Sequence, residues 1–294
     1  AIRPADHDAW PSDESGADDD HRRGNALRFS LAGMQLKLSA VMEASGGLTI
    51  PARGIGGSWI VKLPSRRFAR VPENEFSMLT LARLSGMDVP AFRLVDVAAI
   101  ANLPEGLGTT DGQALAIERF DRSPAGGAVH VEDFAQVFGV YPEDKYRRAS
   151  ARNIGGVIGA ECRGDDIVEF IRRLTFNTLI GNADMHLKNW SLIYPDRRHA
   201  ALAPAYDFMS TIAYLPDDSA ALRFSRTRRF SEFSEDELAH LAAKALLPER
   251  LVLDAARETV ALFHQHWRGE RRHLPLAAEA AQAIAAHLQT IPIA

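Results

Sequence analysis

The sequence predicts an α+β fold with two lobes, a small β-rich amino-terminal lobe and a larger, mainly helical carboxy-terminal lobe. Two observations support this fold class. Apolar and polar residues alternate in short runs through the first third of the chain, whereas apolar residues recur at helical spacing beyond residue 130. A dense group of polar residues at 182–189 separates a helical segment from a strand-forming one, and we expect the functional site there.

Composition is that of an ordinary globular protein, with 294 residues, 46% hydrophobic and 24% charged, and a net charge of -4. Residues 1–20 hold seven acidic side chains and one Arg, so we interpret residues 1–24 as a flexible acidic leader. The single cysteine, Cys162, excludes an intrachain disulfide and a cysteine-rich metal site. No apolar run approaches the roughly 20 residues that span a bilayer. We therefore expect a cytoplasmic protein without a membrane partner, and the charge balance argues against nucleic-acid binding by this chain alone.

The predicted amino-terminal lobe covers residues 25–121. Strands are expected at 36–42, 58–63, 93–100 and 114–120, and a helix is expected from Pro72 to a stop at Gly86. Lys62 interrupts an apolar strand, which fits either an exposed sheet edge or a side chain directed into a cleft towards a phosphate. Glu75 on the following helix is a candidate ion-pair partner. The small residues of the turn at 30–35 could let backbone N–H groups meet an anion, although a simple hairpin turn fits as well.

The predicted carboxy-terminal lobe covers residues 122–294. Helices are expected at 130–140, 165–180, 234–246, 248–268 and 275–289, with a polar connection at 144–152 and an irregular, Arg-containing loop at 209–233. Residues 190–194 and 199–206 flank a turn at Pro195-Asp196, which predicts a β-hairpin. The hairpin would return the chain to its start and bring Asn189 close to Asp207.

The polar group comprises Asn182, Asp184, His186, Lys188 and Asn189. Burying such side chains without partners is costly, so their density between two core elements indicates chemistry, with a polar surface loop as the alternative. Asp184 and Asn189 are spaced as the Asp and Asn of a protein-kinase catalytic loop. The oxygen atoms of Asn189 and Asp207 would suit Mg²⁺. A zinc site is disfavoured because the histidines are scattered.

Six segments in order resemble the HipA-type serine/threonine kinases, the toxin halves of bacterial toxin–antitoxin pairs: SLAGMQLKL, WIVKLP, ENEF, ERFDR, GNADMHLKNW and APAYDFMS. The resemblance extends from about residue 25 to about residue 267. It implies a protein-kinase-like fold, ATP and Mg²⁺ as cofactors, and phosphorylation of a protein serine or threonine, with an aminoacyl-tRNA synthetase as the suspected substrate. It also implies a type II toxin role and a HipB-like, DNA-binding antitoxin, with DNA contacted only through that partner.

The resemblance also implies residue roles. Asp184 would be the general base, and Asn189 and Asp207 would hold Mg²⁺. Lys62, supported by Glu75, would contact the α- and β-phosphates. Autophosphorylation of Ser30 would silence the kinase. The other residues implied to bind ATP are Ala32, Gly33, Met34, Gln35, Leu36 and Lys37 of the phosphate loop, Glu118, Arg119 and Phe120 of the adenine hinge, and His186, Tyr206, Phe208 and Met209.

Two other functions fit the same residues. A kinase acting on a small molecule, such as an aminoglycoside or a sugar, would have similar loop and metal residues, since the fold does not fix the substrate. A non-catalytic corepressor acting with a DNA-binding antitoxin is the alternative outside enzymes. Full-length members of the family carry a β-rich subdomain before the kinase core. Only a short leader precedes the core here, so we expect a trimmed chain or the short form of a split system.

Overall fold

A six-stranded sheet forms the first part of the chain in the computed structural model, which describes residues 35–43, 46–51, 56–104, 111–123, 127–141 and 149–294. The strands run in the order β4-β6-β3-β1-β2-β5, and every neighbouring pair is antiparallel except β2 and β5. Their bounds are β1 Lys37–Met42, β2 Leu48–Thr49, β3 Trp59–Lys62, β4 Phe92–Asp96, β5 Ile100–Ala101 and β6 Gln113–Glu118. The leader at 1–24, Ser30, and the loop residues Ala32, Gly33 and Met34 lie outside the described residues.

The centre of this sheet is built from small and β-branched residues that face a local core. Ala40 on β1, Val61 on β3 and Ala116 on β6 are each fully buried there. Because β3 pairs with both β1 and β6, it is an interior strand of the described sheet and not an exposed edge. Lys62 therefore does not lie on an exposed sheet edge.

The first helix, α1, spans Val71–Leu84 and confirms the helix expected from Pro72. Proline suits the first turn because its missing N–H has no helical partner there. The helix ends before Gly86, whose φ of 80° lies in the left-handed region that favours glycine. Met78 and Leu81 are fully buried and join the core of the helical lobe. The helix thus links the sheet to the helical lobe.

A second, three-stranded antiparallel sheet has the order β7-β8-β9, with β7 His130–Asp133, β8 Ser191–Tyr194 and β9 Ala201–Leu202. Strands β8 and β9 form the predicted hairpin, with Leu192 opposite Leu202. The helix expected over 130–140 is wrong in its first half, because residues 130–133 pair with β8 as a strand. Only the short α2, Phe134–Val137, is helical, and Asp133 caps it by accepting from the Gln136 N–H.

The remaining helices form the bulk of the second lobe: α3 Ala151–Glu161, α4 Gly164–Leu179, α5 Glu235–Ala245, α6 Glu249–Glu270 and α7 Ala278–Leu288. Helices α4 to α7 confirm the predicted ones within a few residues. Helix α3 was not predicted. Its glycines have low helix propensity, but they permit close packing, since a Cβ on Gly155 would lie 3.0 Å from Phe170 and one on Gly159 would lie 2.6 Å from Leu247.

One large apolar core lies among these helices, with Phe170, Phe176, Phe208 and Phe263 all fully buried in it. The architecture is therefore α+β, with a small sheet-rich lobe and a larger helical lobe, as the sequence predicts. The lobe boundaries at residues 25, 121 and 122 stay predictions. No helix in the described part of the chain is long and apolar enough to cross a membrane.

Candidate active site

Lys62 is the centre of a buried charge cluster. The residue is 4% exposed, and its Nζ forms ion pairs with Oε1 of Glu75 on α1 and with Oδ1 of Asp207. Lys37 lies directly opposite Lys62 across the β1–β3 pair, so the two side chains share one face of the sheet. The Nζ of Lys37 lies 3.3 Å from Oδ2 of Asp207. Two lysines and two carboxylates from four separate segments of the chain therefore meet.

The electrostatics of the cluster favour its charged form. Burial lowers the pKa of Lys62, but the charges of Asp207 and Glu75 outweigh it and hold that pKa above its ordinary value. Burial also raises the pKa of Asp207, but Lys62 and Lys37 outweigh this and hold it well below its usual range. For Glu75, burial and the nearby Asp207 charge raise the pKa. The charged forms of Lys62 and Asp207 are therefore the ones that the cluster stabilises.

The start of the predicted phosphate loop is fixed to the strand that carries Lys62. Gln35 is buried, and its Nε2 donates to the Leu63 carbonyl at 2.9 Å. The Leu63 N–H donates in turn to the Leu36 carbonyl at 2.9 Å. The Leu36 side chain itself is exposed. These bonds hold the chain before β1 beside the end of β3, next to Lys62.

The segment that carries Asp184 is a tight turn at the end of α4. Gly181 has a φ of 64° and reverses the chain there. Asn182 then organises the turn, since its Oδ1 accepts from the Asp184 N–H at 3.1 Å and its Nδ2 donates to Oδ1 of Asn177 at 2.8 Å. His186 is buried, with Nε2 3.9 Å from Oδ1 of Asp184. The geometry makes Asp184 and His186 neighbours at the end of the helix.

The hairpin returns the chain to this turn. The Tyr206 hydroxyl donates to the Lys188 carbonyl at 2.9 Å and lies 2.6 Å from Oγ of Ser191. Asn189 donates from Nδ2 to the Asp184 carbonyl at 3.0 Å, so its amide oxygen Oδ1 is the atom that could bind a metal. Lys188 directly precedes Asn189 in the sequence, and Tyr206 directly precedes Asp207. The hydrogen bond between Tyr206 and Lys188 therefore brings these two parts of the chain together.

Asp207 is held in an unusual conformation by the residues before it. Its φ is 57°, in the left-handed region, where an aspartate is uncommon and worth attention. Upstream, the guanidinium of the buried Arg173 donates to the Ala203 carbonyl at 2.5 Å and pairs with Glu169. The Ala205 N–H donates to the Asp88 carbonyl at 2.8 Å. These contacts fix the approach of the chain to Asp207.

Other predicted residues lie at the edge of the cluster or in the core. Glu118 is exposed at the end of β6, and Arg119 forms an ion pair with Asp121. The ring centroid of Phe120 lies 5.6 Å from that of Tyr206, so the predicted hinge borders the site. The side chain of Phe208 is fully buried against Phe176, with ring centroids 5.7 Å apart. Met209 is buried beside Val71. Phe208 and Met209 therefore support the site from the core.

The donor set fits Mg²⁺ better than a metal that needs an all-protein cage. Asp207 offers an ionised carboxylate beside two lysines, and Asn189 offers an amide oxygen. Among the described residues, no group of three or more His, Cys, Asp or Glu could hold a metal. Mg²⁺ is commonly bound by one or two protein oxygens together with waters and substrate phosphates.

Sequence reasoning missed several residues that organise this site, above all Asn74, Arg173 and Thr211. Each is nearly fully buried and polar. Asn74 lies between Glu73 and Glu75, and Thr211 follows Ser210, so neither is conspicuous in the sequence, and the sequence does not indicate the partner of a buried polar residue. Asn74 carried the clearest signal, because asparagine is unfavourable within a helix unless its side chain has a specific partner.

A family model described as the HipA-like C-terminal domain matches residues 29–267 of the chain. The chain belongs to this family. Two Sinorhizobium fredii members of similar sequence are named "Putative kinase Y4dM", 58% identical over 99% of this chain, and "Putative kinase Y4mE", 33% identical over 80%. The serine/threonine-protein kinase toxin HipA of Shewanella oneidensis is 28% identical over 64% of the chain.

Solved structures with the family fold agree. A complex of Shewanella oneidensis HipA with HipB and operator DNA contains a chain with a TM-score of 0.70 and 23% identity, covering 90% of this chain. The Helicobacter pylori proinflammatory kinase CtkA gives a TM-score of 0.55 at 11% identity over 86% of the chain. At these identities the matches show the fold, which is kinase-like. The chain spans 72% of Y4dM, 57% of Y4mE and 63% of the HipA chain in the complex.

Proposed function

We propose that this chain is an ATP- and Mg²⁺-dependent serine/threonine protein kinase of the HipA type. The observation that carries the proposal is the ion cluster in which Lys62 meets both Glu75 and Asp207. A Lys–Glu pair beside a metal-binding Asp is the arrangement that kinases use to hold the phosphates of ATP. Similarity to Shewanella oneidensis HipA, which is named a serine/threonine-protein kinase toxin, favours this proposal over a small-molecule kinase.

The residues would divide the work as follows. Lys62, aligned by Glu75, would bind the α- and β-phosphates, and Asn189 and Asp207 would hold Mg²⁺, which neutralises phosphate charge when bound. Gln35 to Lys37, with Ala32, Gly33 and Met34, would cover the phosphates, and Glu118 to Phe120 would read the adenine. The acceptor hydroxyl would attack the γ-phosphorus, the bond to the β-bridging oxygen would break, and Asp184 would take the hydroxyl proton.

The biological role follows from the relatives and is part of the proposal. Shewanella oneidensis HipA is named a toxin and was solved with HipB and its operator DNA. We extend this to a HipB-like antitoxin as the partner of the present chain, with DNA bound through that partner. A protein substrate, with an aminoacyl-tRNA synthetase as the suspected one, and silencing by phosphorylation at Ser30 complete the proposal.

Intact mass tests the chemistry without a known substrate. The parent chain and an Asp184→Asn variant are incubated with ATP with and without Mg²⁺. The parent with Mg²⁺ should gain the mass of one phosphate, mapped by peptide analysis to Ser30, and the variant should gain none while still binding ATP. An unchanged parent that carries no phosphate beforehand would contradict kinase activity, and equal gain by the variant would remove Asp184 from the role of base.

A further inference from the structure

Two consecutive residues after Asp207 connect three elements of the site. Ser210 and Thr211 are 0% and 3% exposed, and they follow Asp207 by only three and four positions. Asn74 on α1 binds the main chain of Ser210 on both sides, since its Nδ2 donates to the Ser210 carbonyl at 3.1 Å and its Oδ1 accepts from the Ser210 N–H at 3.0 Å. One amide orientation alone satisfies both bonds, so the contact fixes Ser210 relative to α1.

Thr211 makes the second half of the connection. Its Oγ1 donates to the Gly181 carbonyl at 3.1 Å and accepts from the Ala183 N–H at 2.8 Å. The Ile212 N–H donates to the same Gly181 carbonyl at 3.3 Å. Gly181 and Ala183 belong to the turn immediately before Asp184. One hydroxyl therefore fixes the turn that presents Asp184 to the segment that presents Asp207.

The contact between Asn74 and Ser210 closes a ring around the charge cluster. Asn74 is the neighbour of Glu75, which pairs with Lys62, and Lys62 pairs with Asp207. The same Asp207 reaches Asn74 a second way, along the main chain to Ser210. Two independent connections between α1 and Asp207 fix the position of Asp207 relative to the helix. A single contact would allow Asp207 to rotate about that contact.

The alternative explanation is that Asn74 and Thr211 simply satisfy buried polar atoms. Other buried threonines of this chain show that simpler solution. Thr259, fully buried in α6, donates to the Ala255 carbonyl within its own helix, and Thr178 does the same with Leu174 in α4. Thr211 and Asn74 instead bind the main chain of other elements, on both sides of the site.

We propose that Asn74 and Thr211 are positioning residues for phosphoryl transfer, a proposal that rests on the kinase function above. Asn74 sets Asp207 relative to Lys62, so its loss should weaken binding of the Mg²⁺–ATP complex. Thr211 sets the Asp184 turn relative to Asp207, so its loss should slow transfer. Displacing a reacting group by about 1 Å can cost on the order of a hundredfold in rate.

The Thr211 arm of the test uses shape-matched variants. Thr211→Val keeps the volume and removes the hydroxyl, Thr211→Ser keeps the hydroxyl, and Thr259→Val removes an equally buried hydroxyl elsewhere. Transfer of radiolabelled γ-phosphate to the chain or to water is measured against ATP concentration, at a temperature where all variants are folded. We expect Thr211→Val to lower kcat by about ten- to a hundredfold, with KM for ATP nearly unchanged. Thr211→Ser and Thr259→Val should stay close to the parent.

The Asn74 arm measures binding directly. Titration calorimetry with ATP in Mg²⁺ compares Asn74→Ala with Asn153→Ala, a control that loses the α3 capping contacts to Ser150. We expect Asn74→Ala to bind about tenfold more weakly, the equivalent of misaligning one charge-assisted contact, and the control to match the parent. The inference, but not the proposed function, would be overturned if Thr211→Val and Asn74→Ala had the same effects as their controls. It would also be overturned if Thr211→Ser were as slow as Thr211→Val. A parent without ATP binding or transfer would overturn the proposed function and the inference with it.

Discussion

At the scale of single residues, Lys62 forms ion pairs with two carboxylates, those of Glu75 and Asp207. Among the described contacts, Lys37 is the other cation that pairs with one of them. Glu75 is 3% exposed, and the Asp207 side chain is 13% exposed. Removing one partner from a buried ionic cluster leaves uncompensated charge in a poorly solvated site. Lys37 also reaches Asp207, but its side chain is 35% exposed.

We therefore predict that Lys62→Met destabilises the fold far more than Lys37→Met. Lys62→Met should lower the free energy of unfolding by about 3 to 5 kcal/mol, the usual cost of breaking a buried pair. Lys37→Met should cost much less, because water solvates the exposed ammonium and the remaining Lys62 still pairs with Asp207. Urea unfolding followed by circular dichroism measures both. Equal losses would show that the cluster is effectively solvated.

Cys162 offers a second residue-scale prediction. Burial, with the nearby Asp166 and Glu161 charges, raises the pKa of its thiol to about 12. The thiolate is the reactive form, so on the order of one thiol in ten thousand would be ionised at pH 8. Alkylation by iodoacetamide should be slow in buffer and fast in denaturing urea, as measured by intact mass. Rapid reaction of the folded chain would contradict the raised pKa of this partly buried thiol.

The sequence defined individual site residues better than their surroundings. Alternation located Lys62 in a strand but left open whether that strand was an edge, and only the pairing of β3 with β1 and β6 resolves this. Asp184 and Asn189 were predicted from their kinase-like spacing, and Asp207 was added because the predicted hairpin would bring it close to Asn189. Asn74 and Thr211 were not predicted as site residues, because their roles depend on hydrogen-bond partners that are distant in sequence.

At the scale of elements, the turn after α4 depends on Gly181. Its φ of 64° lies in the left-handed region, and a Cβ there would lie 2.5 Å from a side-chain atom of Ile212. Gly86, after α1, has a φ of 80° but nothing within 4 Å of such a Cβ. The two glycines therefore share the backbone requirement, and only Gly181 also has a steric one.

We predict that Gly181→Ala is more destabilising than Gly86→Ala. Both should lose about 1 to 2 kcal/mol from the left-handed conformation, and Gly181→Ala should lose about 1 to 3 kcal/mol more from overpacking. Only Gly181→Ala should also reduce phosphate transfer, because it displaces the Asp184 turn. Equal urea midpoints for the two variants would mean that Ile212 moves aside without cost.

The carboxylate of Glu237 anchors residues 225–227 of the irregular segment at 209–233. Glu237 on α5 is 2% exposed, and Oε1 accepts from the N–H groups of Ser225, Arg226 and Thr227 at 2.9, 2.7 and 3.3 Å. Its other oxygen accepts from Nε of Arg226. The sequence predicted the lack of regular structure here, but the segment is an ordered part of the core, with Phe224 and Phe230 each only 1% exposed.

We predict that Glu237→Ala releases this segment. Losing the acceptor of several buried N–H groups should cost at least about 2 kcal/mol in unfolding free energy, and trypsin should cleave after Arg226 and Arg228 faster than in the parent. Asp236→Ala is the matched control, since Asp236 pairs with the same Arg226 from an exposed position. The control should digest at the parent rate, and equal digestion of both variants would contradict the anchoring role.

Secondary structure was predictable where one periodicity prevailed. Helix α4 and the closing helices have clear apolar faces, and the hairpin has a turn signal at Pro195-Asp196. The prediction was wrong for 130–133 because pairing with β8 overrides the weak helical pattern of a short segment. Helix α3 was missed because its glycines reflect close tertiary packing, which sequence propensity cannot register.

At the scale of the whole molecule, one apolar core runs from α1 into the helical lobe, while a smaller core lies on the sheet. The charge cluster sits where these parts meet: Lys62 belongs to the sheet, Glu75 to α1, and Asp207 to the loop of the helical lobe. The order and type of the elements were enough to predict the α+β fold, because the two lobes of a kinase-like architecture follow one another along the chain, the sheet-rich lobe first and the helical lobe second. The cluster itself required the tertiary structure.

We propose that this cluster binds Mg²⁺ and the nucleotide, and the decisive experiment is equilibrium binding of ATP. Titration calorimetry compares the parent with and without Mg²⁺, Asp207→Asn, and the control Asp218→Asn, which alters an exposed aspartate paired with Arg229. We expect that omitting Mg²⁺ or changing Asp207 weakens binding at least about tenfold, the equivalent of one lost charge-assisted contact, while Asp218→Asn matches the parent. Parent-like affinity of Asp207→Asn in Mg²⁺, or a parent that does not bind ATP, would contradict this proposal.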